Sequence, residues 1–413
     1  MNSLRTTMTQ FNRICFTTLA VVSALASQTA HAQKKYDPGA SDTEIKIGNI
    51  MPYSGPASAY GIVGKTEAAY FKKINDEGGI NGRKINFLSY DDGFSPPKTV
   101  EQARKLVEGD EVLLLFGPLG TAGNSAIQKY MNLKKVPQLF IASGATKWGD
   151  PQHFPWSMGW QPNYQSEARI YAKYILDNFP DGKIAMISAS DDAGRDYVKG
   201  LRDALGDKAG MIVAENKFEA TDPTIESQIV ALKNSGANIL IAWMLPKAGA
   251  QAIRKVAELG WKPTFFLNNA ATSVAAVLGP AGLENAKGII STASLKDPTD
   301  KAWKDDAGTK KWREFMEKYY PDGDKTNGNT VFGYSAAQTM VEVLKRCGDN
   351  LTRENVMKQA TSLNGVSLDM LIPGIQLSTS PTDFFPIQQM QLMKFDGESW
   401  QLFGDVITGE VGQ

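Results

Sequence analysis

The sequence predicts an α/β protein of two lobes, each built on a doubly wound parallel sheet, with three chain crossings between them. Three observations carry this. From Glu44 onward short β-branched runs alternate with helix-length segments, the pattern of parallel strands joined by crossover helices. The alternation then starts again and runs a second time. And about 380 of the 413 residues follow the N-terminal segment, more than the roughly 250 to 300 that one hydrophobic core supports.

In the first series strands are expected at 45–51, 84–90, 112–116 and 138–141, with helices at 64–75, 97–108 and 121–134; Gly78-Gly79 stops the first helix. The second series places strands at 183–188, 211–217, 239–244 and 263–267. Its helices are expected at 195–205, 224–234 and 247–259, with Asp222-Pro223 ahead of Thr224 as a helix start. After Ile289 the pattern changes to helices at 308–319, 331–346 and 353–361. A terminal hairpin follows, in which 388–395 alternates as a half-buried strand and Asp396-Gly397 turns into 399–403. If the late helices return to the first lobe and the hairpin joins the second, lobe 1 is 43–160 with 296–386 and lobe 2 is 161–295 with 387–413. Three crossings make a hinge.

The first 32 residues read as an address. Arg5 and Arg13 precede an apolar run at 14–26, and Ala30-His31-Ala32 fits a cleavage site before Gln33. The run has about a dozen apolar residues, short of the roughly 20 that span a bilayer, and Cys15 lacks the spacing of a lipoprotein site. Cleavage and a soluble periplasmic product are expected. Without this segment Cys347 is the remaining cysteine of two and His153 the remaining histidine of two, so an intramolecular disulfide and a His-Cys zinc cluster are unavailable. Removing Arg5 and Arg13 from 44 basic residues leaves 42 against 44 acidic, which implies no nucleic-acid patch.

Motifs then accumulate in order: Ile47-Gly48 leading to Ser54-Gly55-Pro56-Ala57 and Tyr60-Gly61, Ile74-Asn75 with Gly78-Gly79-Ile80-Asn81-Gly82, Tyr90-Asp91-Asp92, Gly117-Pro118, Val136-Pro137, and Asp192 to Gly194 before a helix. Spread over essentially the whole mature chain, they resemble the type I periplasmic binding proteins, in the leucine/isoleucine/valine-binding branch of ABC transporter substrate-binding proteins. The resemblance implies two Rossmann-like lobes joined by three crossing segments and closing over a ligand in the cleft. It implies no enzyme activity and no cofactor. The implied partners are a small-molecule ligand and an inner-membrane ABC permease, with the protein a monomer.

The resemblance also places a site. In open α/β sheets ligands sit beyond the carboxyl ends of the strands, near helix N-termini. The family counterparts of Thr121, Ser143 and Ala145 hold the ligand carboxylate, with Thr146 in the same loop, and Tyr60 matches a position that packs on the ligand. Gly117, Gly120 and Gly144 are expected to permit close backbone approach. Asn269 stands where amino-acid binders carry the acid that pairs with the ligand's ammonium group, and an amide cannot replace that charge. Ala193 and Met244 stand near positions that are tyrosine in the leucine-type binders, so the pocket is expected to be larger and more apolar. Trp148, Trp156, Trp160 and Tyr164 crowd the approach to the first crossover, and aromatic side chains with a polar handle suit a flat apolar ligand with hydroxyls. The expected ligand is a carboxylate without an amine, aromatic acids first and aliphatic acids second; a branched-chain amino acid or an amide is the alternative.

Other readings were weighed beside these. Ser54-Gly55-Pro56 reads equally as a turn after the first strand. Trp148 and Trp156 read as ligand contacts or as core, with core favoured for Trp156, whereas Trp160 is taken as a ligand contact. Arg195 reads as a solvated helix charge rather than a partner across the cleft. Residues 59–66 form a relaxed phosphate-loop pattern with Ala59 in place of the first glycine, the basis of an exported-enzyme alternative; Lys65 and Thr66 are instead expected on the first helix. Asp91-Asp92 and Asp191-Asp192 fall in different lobes and read as solvated loop acids rather than a metal site. A Gly-x-Ser-x-Gly elbow is absent and His153 has no evident triad partners. The same closed form would also serve a chemoreceptor or sensor kinase in place of a permease. Replacing Asn269 with Asp is expected to weaken an acid ligand several-fold by like-charge repulsion, measured by titration calorimetry; unchanged affinity removes Asn269 from the site.

Overall fold

The computed structural model describes residues 34–409, and the expected signal at 1–32 lies outside the described residues. The five-stranded sheet holds β1 (Glu44–Met51), β2 (Lys84–Asp91), β3 (Leu114–Phe116), β4 (Gln138–Ile141) and β5 (Ser157–Gly159), in the order β2-β1-β3-β4-β5. All four pairings are parallel. Helices α1 (Gly61–Asp76), α2 (Pro96–Arg104) and α3 (Thr121–Lys134) connect them.

The second sheet repeats that order. It starts after α4 (Tyr164–Asn178), with β6 (Ile184–Ala189), α5 (Asp192–Leu205), β7 (Ile212–Phe218), α6 (Glu226–Asn234), β8 (Ile239–Ala242), α7 (Pro246–Glu258), β9 (Thr264–Leu267) and β10 (Ile290–Ala293). Its five parallel strands run β7-β6-β8-β9-β10, and the hairpin of β11 (Gln389–Phe395) and β12 (Trp400–Thr408) adds two antiparallel strands beside β10, with Ile290 opposite Lys394. Three helices precede that hairpin: α8 (Ala307–Tyr319), α9 (Gly328–Cys347) and α10 (Arg353–Ala360). They share a core with the first sheet, where Trp312, Met340 and Leu344 bury with Ile47, Phe71 and Phe116. Gly333 lets α9 lie close on α1, since a Cβ there would stand 2.7 Å from the Val63 carbonyl oxygen.

Several expectations are corrected. β5, α4 and β10 were not foreseen. The signal for α4 is present, because Asn163 caps it by accepting the N–H groups of Gln165 and Ser166 and Ala168, Tyr171, Ala172 and Ile175 repeat at helical spacing. Strand β8 ends at Ala242, two residues before the expected end, so Trp243 and Met244 leave the sheet. Asp222-Pro223 is a turn, not a helix start: the Asp222 carboxylate accepts the Glu219 N–H at 2.8 Å, and α6 begins at Glu226. The phosphate-loop reading fails on geometry. Gly64, Lys65 and Thr66 are inside α1, the Thr66 hydroxyl donates to the Ile62 carbonyl at 2.8 Å, and no loop is left to cradle a phosphate.

Cys347 is buried at the end of α9, and burial pushes its thiol up to about 12. A thiolate is the reactive form, so the native mature protein at pH 8 is expected to stay unlabelled by an aromatic disulfide reagent for minutes. A thiol reacts once the protein is denatured. Native labelling at the rate of a free exposed thiol contradicts this packing.

Candidate ligand-binding cleft

Both sheets have the strand order in which the chain switches direction between the first and third strands, and ligands bind outside the carboxyl ends at such points. Here the two switch points face each other. Loops after β1, β3 and β4 meet loops after β6, β8, β9 and β10 around a cavity of about 150 Å³, the space of roughly ten waters at ~10–15 Å³ each. Contacts across the cleft hold it shut. The Tyr60 hydroxyl donates to the Ala270 carbonyl at 3.0 Å, the Thr146 N–H to Asp196 at 2.7 Å, and the Ser273 hydroxyl to the Asn327 side chain at 2.9 Å. Lys147 pairs with Asp192 at 3.2 Å. Arg195 takes no part across the cleft; it pairs with Asp192 on its own helix.

One side of the wall presents hydrogen-bond donors from the start of α3. The loop before α3 is braced by Leu119 N–H to the Ile50 carbonyl and Gly120 N–H to the Ala142 carbonyl. No side chain caps α3, so its first-turn N–H groups lack intrahelical partners and its positive end is open to an anion. Behind the wall, the Ser143 hydroxyl oxygen accepts from Trp148 Nε1 at 2.9 Å and from the Ala145 N–H at 3.3 Å. With both lone pairs used, its own proton goes to Thr121 Oγ1 at 2.7 Å. The Thr121 O–H then has the Tyr164 hydroxyl as a neighbouring acceptor at the cavity wall.

Of the nine expected site residues, Tyr60, Thr121, Trp160 and Asn269 line the cavity. The other five stand behind or beside it. Ser143 and Ala145 form the support just described, and the Thr146 N–H is taken by Asp196. Ala193 is buried in the first turn of α5, and the Met244 N–H is bonded to Asn268 Oδ1 at 2.7 Å with its side chain in the core. Trp243, its neighbour, faces the cavity instead: a strand end misplaced by two residues misassigns which residues face the cleft. The expected glycine approach is also corrected, because protein fills those spaces. A Cβ on Gly117 would meet Glu67 at 2.8 Å, one on Gly120 the Phe94 ring at 2.6 Å, and one on Gly144 the Pro162 carbonyl oxygen at 2.4 Å.

Trp160 is buried, with Nε1 donating to Thr339 at 3.0 Å and its ring edge-on to Phe332 at 4.9 Å. Tyr164 meets Trp243 edge-on at 5.5 Å. Trp148 and Trp156 lie outside the wall, and so does Ser54-Gly55-Pro56, whose turn is tied by Asp91 accepting the N–H groups of Tyr53, Ser54 and Gly93. Asp92 holds the start of α2 through the Phe94 N–H and the Thr99 hydroxyl. Among the described residues no cluster of His, Cys, Asp and Glu fits a metal ion.

The charged lining was largely missed from sequence. Asp191, which caps α5 by accepting the Gly194 N–H at 3.2 Å, and Asp297 both stand on the wall. Lys296 also lines it, but its Nζ is drawn off to Asp306 at 2.7 Å and the Asp369 carbonyl at 2.9 Å. Behind Asn269 lies Glu167, buried on α4. Its Oε1 accepts from the Asn269 N–H at 2.7 Å, the Tyr171 hydroxyl at 2.9 Å and the Thr292 hydroxyl at 3.0 Å, while Oε2 has no partner. Burial pushes this carboxyl up to about 7 against the pull of those donors.

Two open α/β sheets closing at their carboxyl ends over an enclosed cavity define the class of hinged, two-lobed binding proteins. The family model described as "Periplasmic binding protein" matches residues 44–399, and the chain belongs to this family, as a type I binding protein like the leucine/isoleucine/valine-binding ones. It is 28% identical over 333 residues to a Leu/Ile/Val-binding protein homolog of Brucella suis, covering 76% of this chain and 82% of the relative. Similar solved folds include a fatty acid ABC transporter substrate-binding protein from Thermomonospora curvata (TM-score 0.76, 20% identity, 91% of this chain and 95% of that one). Another is a branched chain amino acid ABC transporter structure from Thermus thermophilus with bound valine (TM-score 0.79, 17% identity, 89% and 97%).

Glu167 carries a prediction about pH. Its folded-state value lies above the ordinary 4.5, so between about pH 4.5 and 7 the folded protein binds more protons than the unfolded chain and stability falls as pH rises. The loss through this group is roughly 3 kcal/mol at ~1.4 kcal/mol per pKa unit. Glu167→Gln is expected to flatten the decline of the melting midpoint between pH 5 and 8, read by circular dichroism. An unchanged slope refutes the assignment.

Proposed function

We propose that this chain is the solute-binding component of an ABC importer, exported by a cleaved N-terminal signal, and that its cargo is a small carboxylate-bearing molecule with an apolar body. The observation that carries this is the Thr121 hydroxyl beside the uncapped start of α3, on the same wall as Tyr60, Trp160 and Trp243. Donors without a basic side chain bind a carboxylate, and Leu119, Ala142, Val331 and Phe332 supply apolar wall in the same cavity. A cavity of this size takes an acid of about ten heavy atoms more readily than a long acyl chain. The ligands of the similar solved folds point the same way: fatty acids and valine share a carboxylate and differ in the amine.

Ligand binding favours the closed form because both lobes contribute wall, and closure presents the surface that a permease recognises. We read the protein as a monomer that leaves its ligand chemically unchanged, with lobes divided at 43–160 with 296–386 and 161–295 with 387–413. Asn269 supplies no counter-charge, so an aromatic acid ranks above an amino acid. A second reading rests on Asp191: this acid on the wall could face an ammonium group in place of the one that Asn269 lacks, which would admit an α-amino acid.

Thermal melts against leucine, benzoate and cinnamate derivatives, and short fatty acids separate the two. Aromatic acids at 100 times their Kd are expected to stabilise by ~2.7 kcal/mol, and Thr121→Val to weaken them about fivefold to tenfold, the loss of one hydrogen bond of ~1–1.5 kcal/mol. Stabilisation by leucine alone overturns the amine-free reading in favour of the second.

A further inference from the structure

We propose that Asp297 and Asn329 form a second polar subsite in the cleft, which receives a hydroxyl group on the ligand; this rests on the carboxylate reading above. Asp297 lies in the hinge crossing that leaves β10, on the cavity wall. Its Oδ1 is occupied by the N–H and the hydroxyl of Thr299. Its Oδ2 takes no hydrogen bond from a described residue, and it points past the start of α9, where a Cβ on Gly328 would stand 3.7 Å away. The neighbouring cation does not neutralise it, because Lys296 is committed to Asp306 and the Asp369 carbonyl. Burial pushes the Asp297 carboxyl up to about 6, as expected for an acid enclosed without a counter-ion.

Asn329, in the first turn of α9, lines the same cavity, and its Nδ2 is buried without a partner. A wall acceptor and a buried donor are thus both left unmet by the protein, which is unfavourable until a ligand group reaches them. A hydroxyl answers both, since it donates one proton and accepts on its oxygen. An ammonium group has donors alone; it would satisfy Asp297 and leave Asn329 unmet. A methyl group or a ring edge would satisfy neither. The subsite therefore selects a hydroxylated acid over its unsubstituted parent.

The test is titration calorimetry on ligand-stripped mature protein with benzoate, the three monohydroxybenzoates, the corresponding phenylacetates, and aminomethylbenzoate as the ammonium arm. Wild type is expected to bind the best hydroxylated acid at least tenfold more tightly than its parent. Asp297→Ala should abolish that ratio, and Asn329→Ala, which leaves the hinge intact, should reduce it several-fold. A ratio that survives in both variants, or equal loss for parent and hydroxylated acid, overturns the subsite but leaves the carboxylate reading standing. A preference for the ammonium analogue that Asp297→Ala erases overturns the hydroxyl assignment. Failure of every acid to bind wild type overturns both readings together.

Discussion

The cleft depends on one constraint: each parallel sheet exposes its unpaired backbone groups at the carboxyl ends of its strands, and the two sheets meet at those ends. Helix starts and strand ends carry N–H and carbonyl groups that regular structure leaves without partners. Placing α3, α5 and α9 starts around one enclosed space concentrates them. Some are satisfied within the protein, as Asp191 caps α5 and Asn327 caps α9. The uncapped start of α3 is the one left open, and Ser143 behind it sets the direction of the Thr121 proton.

A closed cavity also makes charge expensive. Asp297 on the wall and Glu167 behind it are pushed up by burial, and Glu67 is held in the first core beneath Gly117 with its carboxyl well above the usual range for the same reason. Of the three, Asp297 alone stands on the cavity wall, within reach of a bound ligand. Glu167 has a further role in position: it ties the Asn269 loop and Thr292, two parts of the second lobe's wall, to α4.

Much of the fold was legible because it is written at short range. The bounds of α3 and β4 follow from local pattern alone, and the hairpin turn from Asp396-Gly397. The same locality explains the misses. β5 and β10, three and four residues long, are strands because a neighbouring strand completes their hydrogen bonds. Asp222-Pro223 satisfies the local rule for a helix start, yet the Asp222 carboxylate found the Glu219 N–H first.

The sequence by itself determined the alternation of strand and helix and its repetition; the packed structure decided that the late helices return to the first sheet and that Tyr60, Thr121, Trp160 and Asn269, of nine expected residues, line the cavity. Tertiary structure decided which residue of a pair faces inward, as with Trp243 over Met244, and which charges remain free. Lys296 and Asp297 are adjacent in the chain, in the crossing that leaves β10. Only the packed structure shows the lysine neutralised by Asp306 and the aspartate left facing the cavity, because a charge's partner is set by contacts between segments that no local pattern records.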